Sequence, residues 1–93
     1  MKVENDTNDP VDYDQAGSGS DDEERRCKGL LTPRGTPGNS RAFPPCGPKP
    51  WSVTFTSRTN GQSCTVAGIQ KANTTVRIER FGGCAISIED PEE

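Results

Sequence analysis

Histidine is absent from the 93 residues, and aromatics amount to only 5%, as three Phe, one Trp and one Tyr. Without an imidazole, a Ser or Cys nucleophile lacks its usual general base, and a mixed Cys/His zinc site is excluded. No two cysteines form a C-x-x-C pair, and no Gly-rich strand-to-helix loop is present to hold phosphates. Hydrophobic residues make up 28% of the chain, with no apolar run long enough to span a membrane. Acids are nearly missing from the middle: between Arg25 and Ile88 the one carboxylate is Glu79. The remaining acids lie in polar flanks, where nothing desolvates them or holds a pair at fixed separation for acid–base work. The chain therefore reads as a non-enzyme with no cofactor or metal, and as a binder of neither nucleic acid nor membrane.

What is there is charge, separated along the sequence. Residues 1–24 carry nine acids (Glu4, Asp6, Asp9, Asp12, Asp14, Asp21, Asp22, Glu23 and Glu24) against Lys2 alone. Residues 25–88 carry ten Lys and Arg, and the chain closes on Glu89, Asp90, Glu92 and Glu93, so the net charge of −3 hides an acidic arm on a basic body. The arm, residues 1–26, has few apolar groups and a Gly17-Ser18-Gly19-Ser20 link, a composition expected to stay disordered until it meets a basic partner or to serve as a solubilising tail. At its centre lies Asp12-Tyr13-Asp14. An exposed tyrosine between aspartates is a substrate for sulfation, which would give Arg and Lys of a partner additional acceptor oxygens. The body's cations, Arg25, Arg26, Lys28, Arg34, Arg41, Lys49, Arg58, Lys71, Arg77 and Arg80, are dispersed apart from the cluster at 25, 26 and 28. They read as a solvated surface with weak contact to glycosaminoglycan.

Some sixty residues are left to fold, a size at which one apolar core gives only about 3–5 kcal/mol and covalent staples are usual. Cys27, Cys46, Cys64 and Cys84 are those staples, and their presence places the chain in an oxidising, secreted setting. The residues themselves leave the pairing open. The triplets Asn5-Asp6-Thr7 and Asn73-Thr74-Thr75 are N-glycosylation acceptors and fit the same route. With no signal peptide in it, the numbered chain reads as a mature form.

From Cys27 to Pro50 the composition turns to Gly and Pro, which predicts extended or turning loop. Within it, Pro33-Arg34-Gly35 has the form of a bond preferred by trypsin-like clotting proteases, with Arg34 able to enter an acidic S1 pocket. After Trp51 the pattern alternates with period two. Trp51–Thr56, Cys64–Ile69, Val76–Phe81 and Cys84–Ile88 are predicted strands, joined through Asn60-Gly61, Lys71–Thr75 and Gly82-Gly83. The expectation is a small disulfide-stapled all-β domain over 27–88. It is an antiparallel meander of about four strands, flanked by a disordered arm over 1–26 and an acidic tail over 89–93.

An acidic Asp-Tyr segment before the first cysteine, then Pro44-Pro45-Cys46, Asn60-Gly61-Gln62-Ser63-Cys64 and Gly82-Gly83-Cys84, resembles the class A evasins, tick salivary proteins that sequester chemokines. The likeness spans roughly residues 12–84 and rests on cysteine spacing and the acidic tyrosine arm. That family carries eight cysteines. This chain has four, and the family's C-terminal bridged region has no counterpart in it. What the resemblance implies for pairing is Cys27–Cys46, with Cys64–Cys84 departing from the family scheme. It also implies capture of a basic host protein, a chemokine first, by residues around the first cysteine: Asp12, Tyr13, Asp14, Asp21, Asp22, Glu23, Glu24, Arg25, Arg26, Lys28 and Gly29. The arginines are an unusual choice against a cationic target. Two other readings stand beside it: a thrombin-like protease inhibitor presenting Pro33, Arg34 and Gly35, and a complement inhibitor acting through the sheet surface.

Overall fold

Trp51, Val53 and Phe55 alternate with Ser52, Thr54 and Thr56, and in the computed structural model, which describes residues 1–17 and 26–89, this alternation becomes a strand with one face in the core. Among the described residues eight strands form in chain order. They are β1 (Lys2–Asn5), β2 (Val11–Ala16), β3 (Arg26–Leu31), β4 (Ser40–Ala42), β5 (Trp51–Ser57), β6 (Ser63–Ile69), β7 (Thr75–Arg80) and β8 (Ala85–Glu89). They make two four-stranded sheets, ordered β4-β1-β7-β8 and β3-β2-β5-β6. No helix occurs among the described residues. The all-β, disulfide-linked class is as expected; the simple meander is not. The β5–β6 and β7–β8 hairpins form, but Lys71–Thr75 crosses from one sheet to the other, and β1 runs parallel to β7.

The largest correction concerns the arm. Lys2–Asn5 and Val11–Ala16 are strands, and β2 lies inside its sheet, antiparallel to both β3 and β5. Val11, Tyr13 and Gln15 point inward and are buried, while Asp12, Asp14 and Ala16 take the outer face. The pleat resolves the apparent conflict between acidity and order: the acids occupy only the solvent side of a strand whose other side is apolar or hydrogen-bonded. Residues 18–25 and 90–93, including Asp21, Asp22, Glu23, Glu24 and Arg25, lie outside the described residues. The Cys27–Pro50 segment is also not all loop, because it supplies β3 and β4.

Met1, Val3, Val76 and Ile78 face Val11, Tyr13, Leu31, Val53, Phe55, Cys64 and Ile69 across the core, and Phe81 closes one end. Gln15 is fully buried yet satisfied: its Oε1 accepts from the Cys46 N–H at 2.7 Å and its Nε2 donates to the Cys46 carbonyl at 3.1 Å. The β4–β5 loop is thereby docked on β2 as if by one more peptide pair. Between β5 and β6, Gly61 alone of the Asn60-Gly61 pair takes positive φ, at +77°. Gly68, at +80°, accompanies a bulge that shifts the register between Trp51 and Val53.

Cys27 on edge strand β3 is bonded to Cys46 beyond β4, and Cys64 on edge strand β6 to Cys84 just before β8, with Cα–Cα distances of 5.9 and 5.5 Å. Each bond ties the two sheets together along one lateral opening of the sandwich. Cys27–Cys46 is the bond carried over with the resemblance, and Cys64–Cys84 is the one that departs from the family scheme. Replacing Cys64 and Cys84 together by alanine should cost about 3 kcal/mol, as expected for a loop of this length. Urea denaturation of the double variant checks it, and a loss below about 1 kcal/mol would show that the sheets close without that bond.

Candidate functional site

The β2–β3 and β2–β5 registers place Asp12 beside Leu30 and Thr56, and Asp14 beside Lys28 and Thr54. All six belong to the outer face, and with Arg58 they line an open groove of 560 Å³. The Arg58 Nε donates to both carboxylate oxygens of Asp12, at 3.0 and 3.1 Å, and fixes one end of the floor. Thr54 and Thr56 give it hydroxyls, the former sharing a 2.9 Å hydrogen bond with Thr65 of β6. Leu30 is one of the exposed large hydrophobics. A wall of one apolar side chain, paired charges and hydroxyls suits a protein surface better than a small molecule, because it offers short-range contacts without enclosure.

The other sheet's outer face differs. The Arg77 Nε lies 3.0 Å from Glu4 Oε1, and its Nη1 lies 3.7 Å from Glu89 Oε2; Ser87 hydrogen-bonds Glu79. The hydrogen bond and charge of Glu4 hold the Arg77 guanidinium above its ordinary pKa. One guanidinium thus serves two carboxylates within the face, and Glu79 is held by a hydroxyl.

Of the residues expected to bind, Asp12, Asp14 and Lys28 meet at the groove. Gly29 also lines it, but its inner side is filled: a Cβ there would lie 2.9 Å from Tyr13 Cε2. Tyr13 is not the exposed residue anticipated for sulfation. It is 6% exposed and stacked on Phe43, with ring centroids 5.6 Å apart. For Arg26 only the backbone is described, at the start of β3. Leu30, Thr54 and Thr56 were not singled out by sequence, and Arg58 was named only among the dispersed cations. Leu30-Leu31 held the one available signal, since two adjacent leucines in a strand cannot both face the core.

Arg34 is exposed but lies in a turn closed by Thr36 N–H to Pro33 C=O at 3.2 Å, and Gly35 has φ of +78°. Its own N–H donates to the Thr7 carbonyl at 2.9 Å. A protease takes up an extended segment and pairs with its backbone. A tight turn with that N–H already used does not present Pro33-Arg34-Gly35 in such a form. A polar cavity of 330 Å³ beside this turn mixes Arg34 and Arg80 with Asp6, Asp9 and Glu79. No cluster of metal-ligating side chains occurs among the described residues.

No family model, curated protein or solved structure matches this chain. The groove and its flanks therefore carry the functional argument alone. All four cysteines are bonded, which is compatible with an extracellular protein.

Proposed function

We propose that the chain is a secreted binding protein without enzymatic activity that sequesters a basic host protein, a chemokine being the leading class, on the outer face of the β3-β2-β5-β6 sheet. The observation that carries this reading is the joining of groove and acids. The connection from β2 to β3, which holds Asp21, Asp22, Glu23 and Glu24, leaves from the end of the groove floor at Ala16 and returns at Arg26. Glu89, which begins the run Glu89-Asp90-Pro91-Glu92-Glu93, stands at that same end of the sandwich. Acid-rich runs of sequence that join the fold at Ala16, Arg26 and Glu89, beside a neutral groove, suit a two-part encounter. Long-range attraction speeds approach, and Leu30, the threonines and the Arg58–Asp12 pair supply the short-range contacts that slow release.

The reading is tested by measuring binding to a panel of chemokines and of neutral and acidic proteins, at low and at physiological salt. The variant D21N/D22N/E23Q/E24Q should associate with the basic partner about tenfold more slowly at low salt, with the difference shrinking as salt rises. Arg34→Ala should leave capture unchanged. A partner that is acidic, or an association rate indifferent to the four neutralisations, would overturn the proposal.

A further inference from the structure

The chain contains two Asn-x-Thr triplets, and the fold treats them oppositely. Asn5 is fully buried. Its Nδ2 donates to the carbonyls of Asp9 at 2.8 Å and Thr32 at 2.9 Å, while its Oδ1 accepts from the Thr7 N–H at 2.9 Å and the Thr7 hydroxyl at 2.6 Å. A sugar on that nitrogen would displace a donor and force a hexose-sized group between β1, the β1–β2 connection and the turn after β3. The hydroxyl that completes the triplet is itself held in this network. Asn73 is exposed in a turn closed by Thr74 N–H to Lys71 C=O at 3.2 Å, next to exposed Lys71 and Ala72. Thr74 is fully buried and Thr75 opens β7, so the turn is anchored on one side and open on the other.

We propose that Asn73 carries an N-linked glycan and that Asn5, within the same sequence triplet, is bare in the folded protein. The reaction joins Asn73 Nδ2 to the anomeric carbon of an oligosaccharide borne on a lipid pyrophosphate. The carbon–oxygen bond to the pyrophosphate breaks, the lipid pyrophosphate departs with the electron pair, and the amide loses one proton to base; no oxidation is involved. Folding then acts as a filter. A chain modified at Asn5 cannot form the buried network, and a chain modified at Asn73 can. The β6–β7 crossover contributes no residue to the groove, and this inference does not depend on the partner reading.

The test is expression of the full chain behind a secretory leader in eukaryotic cells, followed by purification of the folded protein and release of N-glycans in ¹⁸O-labelled water. Mass spectrometry then marks each former attachment point. The expected result is label at Asn73 and none at Asn5, with the glycan lost in both Asn73→Gln and Thr75→Ala. Label on Asn5 in folded protein, or an unlabelled Asn73, would overturn the proposal. The wild-type measurement decides the matter even if either variant folds poorly.

Discussion

Tyr13→Ala is expected to remove about 4 kcal/mol of stability, whereas Tyr13→Phe should cost less than about 1. The ring occupies the space left by the missing side chain of Gly29 and stacks on Phe43 at an interplanar angle of 17°. It also opposes Phe55 in the β2–β5 register. Truncation therefore empties a site lined from both sheets. Losses of this size lower the midpoint of a domain under 100 residues by about 20 °C. Gly29→Ala approaches the same contact from the other side, because the new carbon would lie 2.9 Å from Tyr13 Cε2 and 3.0 Å from its hydroxyl. Overpacking should cost about 1–3 kcal/mol. Thermal and urea unfolding measure all three. A Tyr13→Ala protein as stable as wild type would return Asp12-Tyr13-Asp14 to an arm outside the core. Sulfotransferase treatment gives a second readout, since a hydroxyl in this position should be modified only when the protein is unfolded.

Much of one half of the fold was readable. Val53 and Phe55, Val76 and Ile78, and the Gly82-Gly83 turn carry local signals, so β5 to β8 were located to within a residue or two. Strands β1 and β2 were hidden because their outward positions are Glu4, Asp12 and Asp14, and because two inward positions, Asn5 and Gln15, are polar. Thr7 and Asp9 supply part of the Asn5 bonding, but Thr32 for Asn5 and Cys46 for Gln15 lie more than twenty residues away. Nothing local in the sequence announces such partners. The candidate site was half legible for the same reason. Asp12, Asp14 and Lys28 were named from the acidic tyrosine motif and the family resemblance, but the register that sets Leu30, Thr54 and Thr56 beside them depends on pairing between distant segments.

Charge was the most misleading signal, because acidity does not separate a strand's wet face from a disordered tail. On the β4-β1-β7-β8 sheet a single cation, Arg77, lies between two carboxylates, Glu4 and Glu89. On the other sheet, Asp12 is engaged by Arg58 while both remain substantially exposed, at 42% and 57% of their side-chain surfaces. So exposed a pair contributes about 0–1 kcal/mol to folding.

Asn5→Asp is expected to be the most damaging conservative substitution in the chain, costing about 4–5 kcal/mol at neutral pH against about 3 for Asn5→Ala. Asn5 has no exposed surface, and its two donor bonds hold the carbonyls of Asp9 and Thr32. Alanine leaves those carbonyls and the Thr7 N–H without a partner. A carboxylate does more harm, because an acceptor of like partial charge faces both carbonyls in a dry site. The pH dependence separates the two variants. Burial and the facing carbonyls raise the folded-state pKa of the introduced carboxyl above its unfolded value of about 3.9. Below that value both states are protonated, the acid can still donate one bond, and Asn5→Asp should be no less stable than Asn5→Ala. As pH rises through it the unfolded chain ionises first, so the folded state binds more protons and stability falls with pH. The gap between the variants should thus open from acid toward neutral pH, measured as unfolding free energy in urea across that range. Two parallel pH profiles would mean that the introduced group reaches water and that the clasp joining β1, the β1–β2 connection and the turn after β3 is not closed.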